Sequence, residues 1–234
     1  MSVVAALLAS CQLTMGTGTA FGATSCTSSG HCYTMVRLGV ASSPYGFRGV
    51  YVNMHPKCMQ INSSSYFLTS ETWLANYVGS STYWIEAGVA VGAPKSTSKY
   101  FYWADNRPSY GYFEHDDGSD TPSSSQFYGI GISPNSNDTS YFAYVGPYSG
   151  NSSLWPAAYV FDHLDAGTET STGGVSHYLT STKDMGLFYG TNGNSFRDGW
   201  YYDSGENAHN ASTWNSVNTI TADHYYSYYN ETSC

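Results

Sequence analysis

Residues 83–91 read Tyr83-Trp84-Ile85-Glu86-Ala87-Gly88-Val89-Ala90-Val91. Apolar side chains recur at every second position, Ile85, Ala87, Val89 and Val91. That is the period of a β-strand. Such a face belongs between two sheets. The opposite face carries Trp84, Glu86 and Gly88. An acid on an exposed strand face is ordinarily just solvated. An acid beside an indole, with a glycine opening space on its far side, points instead to a cleft.

Working outward, Lys99-Tyr100-Phe101-Tyr102-Trp103-Ala104-Asp105 is aromatic on both faces, as expected of a sheet covered on both sides or forming an aromatic trough. Tyr110, Tyr112 and Glu114 follow on one side of the next strand. Further strand-like segments are 33–38, 49–54, 126–132, 139–145, 157–162, 167–172, 185–189 and 199–203, each bounded by turn residues such as Asp116-Asp117-Gly118-Ser119-Asp120. The spacing predicts one short helix over Ser70–Tyr77, capped by Ser70, with Trp73, Leu74 and Tyr77 on one face. Only 11% of residues are charged and 17% are aromatic, including 23 Tyr, which argues against both disorder and a helical bundle. The expectation is an all-β chain, an antiparallel two-sheet β-sandwich or jelly roll of concanavalin type, with that one short helix.

The formal charge of −9 makes nucleic acid a poor partner. Residues 1–22 carry no charge, and Ala20-Phe21-Gly22 is a small-x-small site before Ala23, so residues 1–22 read as a secretory signal and 23–234 as one domain. Leu8-Ala9-Ser10-Cys11 also resembles a lipobox, in which the signal ends at residue 10 and Cys11 takes a lipid anchor. No later run is long and apolar enough for a transmembrane helix. Cys26, Cys32, Cys58 and Cys234 remain, an even set that suits disulfides in a secreted, extracellular protein. Three pairings are open, and a short Cys26–Cys32 loop with a Cys58–Cys234 closure is the favoured one.

No nucleophile elbow, zinc-protease motif or phosphate loop is present. Glu114-His115-Asp116-Asp117 is read as a solvated hairpin tip and Asp162-His163-x-Asp165 as a strand-end salt bridge, so neither a metal nor a cofactor is expected.

The order Trp84-Ile85-Glu86-Ala87-Gly88-Val89, then Tyr100–Asp105, then Tyr110-Gly111-Tyr112-Phe113-Glu114, resembles the middle of the eqolisin glutamic peptidases. It is also similar to the neprosin type, which places Glu where eqolisins have Gln. The resemblance spans about residues 47–203. It implies Glu86 as one catalytic residue, and Glu169, in Ala166-Gly167-Thr168-Glu169-Thr170, as the second, near the start of a later strand. It further implies an acid-acting endopeptidase, with a polypeptide substrate lying along Trp84, Tyr102, Trp103 and Tyr112. Two close carboxyls share a proton, so one can take a proton from water while the other donates. Two readings compete. An aromatic trough with two acids also describes a carbohydrate-binding or glycan-cleaving protein. A non-catalytic surface protein of the same fold needs neither acid. A peptidase is expected to hold Glu86 and Glu169 across neighbouring strands.

Overall fold

The computed structural model describes residues 32–39, 47–56, 59–61, 63–76, 83–107, 110–117, 120–134, 140–152, 161, 163–171, 175–189, 195–198, 216–221 and 224–229. All regular elements among them are strands: β1 (Cys32–Gly39), β2 (Phe47–His55), β3 (Gln60–Ile61), β4 (Phe67–Asn76), β5 (Tyr83–Gly92), β6 (Ser96–Arg107), β7 (Gly111–Asp117), β8 (Tyr128–Pro134), β9 (Tyr141–Val145), β10 (Tyr148–Ser152), β11 (His163–Thr170), β12 (Val175–Tyr189), β13 (Ser195–Asp198), β14 (Ser216–Thr221) and β15 (His224–Tyr229). One sheet runs β1-β11-β4-β5-β6-β7. The other runs β10-β9-β8-β2-β12-β15-β14, with β13 and β3 also paired to β12. Every pairing is antiparallel.

The core lies between the two sheets, and alternation builds it. Val50, Val52 and Met54 of β2, Ile130 and Ile132 of β8 and Ala143 and Val145 of β9 face Leu68 and Leu74 of β4 and Ile85, Ala87, Val89 and Val91 of β5. The apolar face of β5 is therefore the inner face of the six-stranded sheet. On the other side of β2, Tyr51 donates its hydroxyl to Asn53 Oδ1 at 2.9 Å. At the β9–β10 hairpin, where Val145 pairs with Tyr148, Gly146 takes a positive φ of 55°, the conformation a two-residue hairpin loop demands.

The expected helix over 70–77 is replaced by strand, since β4 runs through Asn76 in the middle of the sheet. Its Ser70 and Thr72 point inward between Leu68 and Leu74, and all four are buried. Polar residues at inward positions hide the period of two, and the shared face of Trp73 and Leu74 does not exist in a strand. Packing between β11 and β5 overrides the local signal. The segment 167–172 belongs to a strand that begins earlier, at His163, and ends at Thr170. Glu169 thus sits near the end of its strand, not near its start. The segment 185–189 is the last part of β12. Of 157–162, Phe161 is described, and it bridges Phe47. The segment 199–203, the proposed signal at 1–22, Cys11, Cys26, Cys58 and Cys234 lie outside the described residues, while Cys32 opens β1.

Candidate active site

The outer face of the six-stranded sheet collects acids on adjacent strands. Antiparallel register fixes their places. Asp165, Trp73, Glu86, Ala104 and Glu114 form one row across β11, β4, β5, β6 and β7. Gly167, Glu71, Gly88, Tyr102 and Asp116 form the next. The pairs Gly167↔Glu71 and Thr170↔Leu68 set Glu169 opposite Thr69, one row further. Glu169, Glu71 and Glu86 therefore lie on a diagonal over three consecutive strands. Diagonal neighbours on one sheet face are about 7–8 Å apart, within reach of long side chains.

Glu86 is 5% exposed and sits under three hydrogen-bond partners. The indole N–H groups of Trp84 and Trp73 donate to Oε2 at 2.8 and 3.0 Å. The Tyr112 hydroxyl lies 2.9 Å from Oε1 and 3.2 Å from Glu114 Oε2. The Tyr100 hydroxyl donates to Glu114 Oε1 at 3.4 Å. Ala104, the small residue between Glu86 and Glu114 in their row, leaves room for this bridge. Burial, then the charge of Glu169, raises the Glu86 carboxyl from the ordinary 4.5 to about 8, against the opposing pull of the Tyr112 and Trp84 hydrogen bonds. Glu86 is therefore neutral through the acid range. An indole nitrogen only donates, so two of them on Oε2 leave Oε1 to carry the proton. Oε1–H then donates to the Tyr112 oxygen, and the Tyr112 hydrogen goes to Glu114. Burial also raises Glu114, while its bonds from Tyr112 and Tyr100 pull the other way.

Glu169 is 9% exposed. Its backbone N–H donates to Thr69 Oγ1 at 3.0 Å, and the Thr69 hydroxyl donates to Glu71 Oε1 while lying 3.3 Å from the Glu169 carbonyl oxygen. Glu71 is completely buried, and its Oε2 has no hydrogen-bond partner. Burial, then the charges of Glu86 and Glu169, pushes its carboxyl well above the usual range. Gly88 makes this possible, because a Cβ there would stand 2.5 Å from Glu71 Cβ and 2.4 Å from the Ser70 carbonyl oxygen.

Of the residues singled out from sequence, Glu86, Glu169, Trp84 and Tyr112 share this face. Glu86 and Glu169 are not on neighbouring strands: β4 and its Glu71 lie between them. Tyr102 is on the same face but 1% exposed, in a small cluster with Ala90, Tyr100 and Ala104, and its hydroxyl is unpaired. Trp103 is on the opposite face, packed in the inter-sheet core and stacked on His115 at 4.0 Å, so it does not line the site. Gly150 of β10 makes room for that indole. Sequence reading missed Glu71, Trp73 and the partnership of Glu114 with Glu86. The signal for the first two was present, since Glu71-x-Trp73 mirrors Trp84-x-Glu86 at strand spacing. The run Glu114–Asp117 is no hairpin tip and offers no ligand set, because alternation sends Glu114 and Asp116 to one face of β7 and His115 and Asp117 to the other. Among the described residues no group of His, Cys, Asp and Glu is placed to hold a metal ion, and no helix is long and apolar enough to cross a membrane.

No family model and no curated protein matches the chain by sequence. Solved structures do match. Scytalido-glutamic peptidase with a transition-state analog inhibitor superposes with a TM-score of 0.55 at 12% identity, over 85% of this chain and 98% of that one. The same peptidase with a peptide-based transition-state analog gives 0.52 at 11% identity, over 85% and 97%. An eqolisin, SCP-B, in complex with a tripeptide gives 0.48 at 11% identity. The chain has the β-sandwich fold of the glutamic peptidases.

Proposed function

We propose that the chain is a secreted endopeptidase that acts in acid and hydrolyses polypeptides with Glu86 and Glu169. The observation that carries this reading is a pair of buried carboxyls on one face of a glutamic-peptidase fold, Glu86, raised above its ordinary value by burial and the charge of Glu169, and Glu169 itself.

In this reading Glu169 takes a proton from water as the water attacks the scissile carbonyl. Glu86 keeps its proton on Oε1, with Oε2 fixed by two indoles. It donates a hydrogen bond to the developing oxyanion and then a proton to the leaving amine. The geometry of a neutral carboxylic acid held this way is that of a glutamine amide: one oxygen accepts and the other atom donates. This accounts in physical terms for an acid standing where the resemblance to eqolisins implies Gln. Trp84 and Tyr112, at the edge of the site, are the side chains of the set that a substrate reaches. A polypeptide is the partner this implies.

The test is hydrolysis of a denatured protein from about pH 2 to about pH 7 by wild type, Glu169→Gln and Glu86→Gln. Glu169→Gln is expected to lose about a hundredfold or more in kcat/KM, as loss of a general base does. Glu86→Gln keeps a measurable share, because the amide reproduces the bonds to Trp73, Trp84 and Tyr112. No hydrolysis by folded wild type would remove the peptidase reading and leave the glycan one.

A further inference from the structure

The carboxyl that the proposed mechanism does not use is the one in the middle. Glu71 lies between Glu169 and Glu86 on the diagonal. It is fully buried, and its Oε2 has no partner. A buried carboxyl oxygen without a partner is costly, and natural folds rarely keep one without a use. The glycine it needs beneath it, Gly88, gives up a side chain in the centre of the sheet.

We propose that Glu71 is a positioning residue for the Glu86–Glu169 pair: its carboxyl takes the Thr69 hydroxyl on Oε1 and keeps a carboxylic-acid proton on Oε2, so that a neutral dipole and no charge stands between the carboxyls on either side. The Thr69 hydroxyl sets the direction. Its oxygen accepts the Glu169 N–H, so its hydrogen is free to go to Glu71 Oε1. The acid proton of Glu71 then belongs on Oε2. A carboxyl removed from water, facing Glu86, Glu169 and, more remotely, Glu114, and bonded only to a neutral hydroxyl, stays protonated. Asp165 lies at Trp73 in the neighbouring row and adds a further acid to the surroundings. An O–H held there stabilises one negative charge on the diagonal, which is the charge a base such as Glu169 needs to keep. Thr69 thus ties the backbone of Glu169 to the carboxyl of Glu71 in one unit.

The functional part of this inference rests on the peptidase reading, while the proton arrangement does not. Two measurements separate them. Infrared difference spectroscopy of wild type against Glu71→Gln, with labelled glutamate, reads the carbonyl stretch of a protonated carboxylic acid near neutral pH. A band lost in Glu71→Gln supports the proton on Glu71. A band that is absent from wild type, or unchanged in the variant, overturns it, whether or not the protein hydrolyses anything. Activity then tests the role. Glu71→Met removes the Thr69 bond and the acid O–H, and is expected to lower kcat at least tenfold with little change in KM. It also moves the acid limb of the rate profile up by about one pH unit, because the O–H dipole no longer stands beside the ionised base. Glu71→Gln, which restores an acceptor and a donor, is expected to rescue the rate to within about threefold of wild type and return the limb to its place. Glu71→Gln as inactive as Glu169→Gln would make Glu71 a group that must ionise and overturn the proposal. So would Glu71→Met with an unchanged rate and pH profile. If Glu71→Met fails to fold, the glutamine variant and the infrared band decide alone.

Discussion

Ile85 and Glu86 are adjacent on β5 and both are buried, at 0% and 5% exposure. They face opposite ways, and the two faces obey different rules. The inner face around Ile85 is closed by Val52, Met54, Ile130 and their neighbours, and the one acid opposite it in register, Asp105, is paired with Arg107. The outer face surrounds Glu86 with two indoles and a phenol. Burial is nearly the same on the two sides, so burial does not decide what a position tolerates. The supply of hydrogen-bond partners does.

The largest expected effect breaks this contrast directly. Ile85→Asp places a carboxyl one residue from a natural one but in the core, opposite the buried Asp105 that Arg107 already pairs, and is expected to cost more than about 4 kcal/mol and abolish cooperative folding. Ile85→Ala, which only opens a cavity, should cost about 2–5 kcal/mol. Chemical denaturation measures both. A folded Ile85→Asp protein with near-native stability would mean that the inner face is not the dry core described here.

The next effect is on stability against pH. Below about pH 4.5 the folded and unfolded chains both carry the Glu86 proton. As pH rises toward about 8 the unfolded chain ionises Glu86 while the fold keeps it neutral, so the folded state binds more protons and stability falls. The raised carboxyls of Glu71 and Glu114 act with the same sign. The loss from Glu86 across that window is on the order of a few kcal/mol. Glu86→Gln should flatten the curve and be more stable than wild type near pH 8. Unfolding midpoints that climb between about pH 5 and about pH 8 in wild type would contradict the site as built.

The same contrast explains what a reader of the sequence can and cannot see. The inner face of β5 is legible because Ile85, Ala87, Val89 and Val91 repeat one physical property at one period. The all-β sandwich follows from many such segments. Glu86 stands out because Trp84 and Gly88 flank it in the strand. β4 is opaque for the opposite reason. Ser70 and Thr72 are polar yet point inward, while Glu71 and Trp73 are buried on the outer face, so neither face shows a periodic contrast. With β4 read as a helix, Glu71 falls on no face at all, and a site of at least three carboxyls reads as a pair. Trp103 fails differently. Its strand is aromatic on both sides, so only the register against Ala87 and His115 tells which way the indole faces.

The smallest effect sharpens the comparison within the outer face itself. The Trp73 N–H and the Tyr112 hydroxyl both bond to Glu86, at 3.0 and 2.9 Å, and both donate to it once it is ionised, but Trp73 is 4% exposed and Tyr112 is 48% exposed. Water can take the place of the Tyr112 hydroxyl and cannot reach the place of the Trp73 N–H. Each donor favours the ionised carboxyl, so removing either raises the Glu86 pKa further. Trp73→Phe is expected to raise it by about one unit and to cost about 1–3 kcal/mol, since a buried carboxyl oxygen loses a donor. Tyr112→Phe should move it by less than about half a unit and cost under about 1 kcal/mol. Carbon NMR titration of the labelled Glu86 carboxyl in the two variants reads the shifts, and denaturation reads the costs. A Tyr112→Phe shift that equals or exceeds the Trp73→Phe shift would mean that Glu86 is held chiefly from the open side of the sheet, through Tyr112 and Glu114, and that the buried indole pair does not set its protonation.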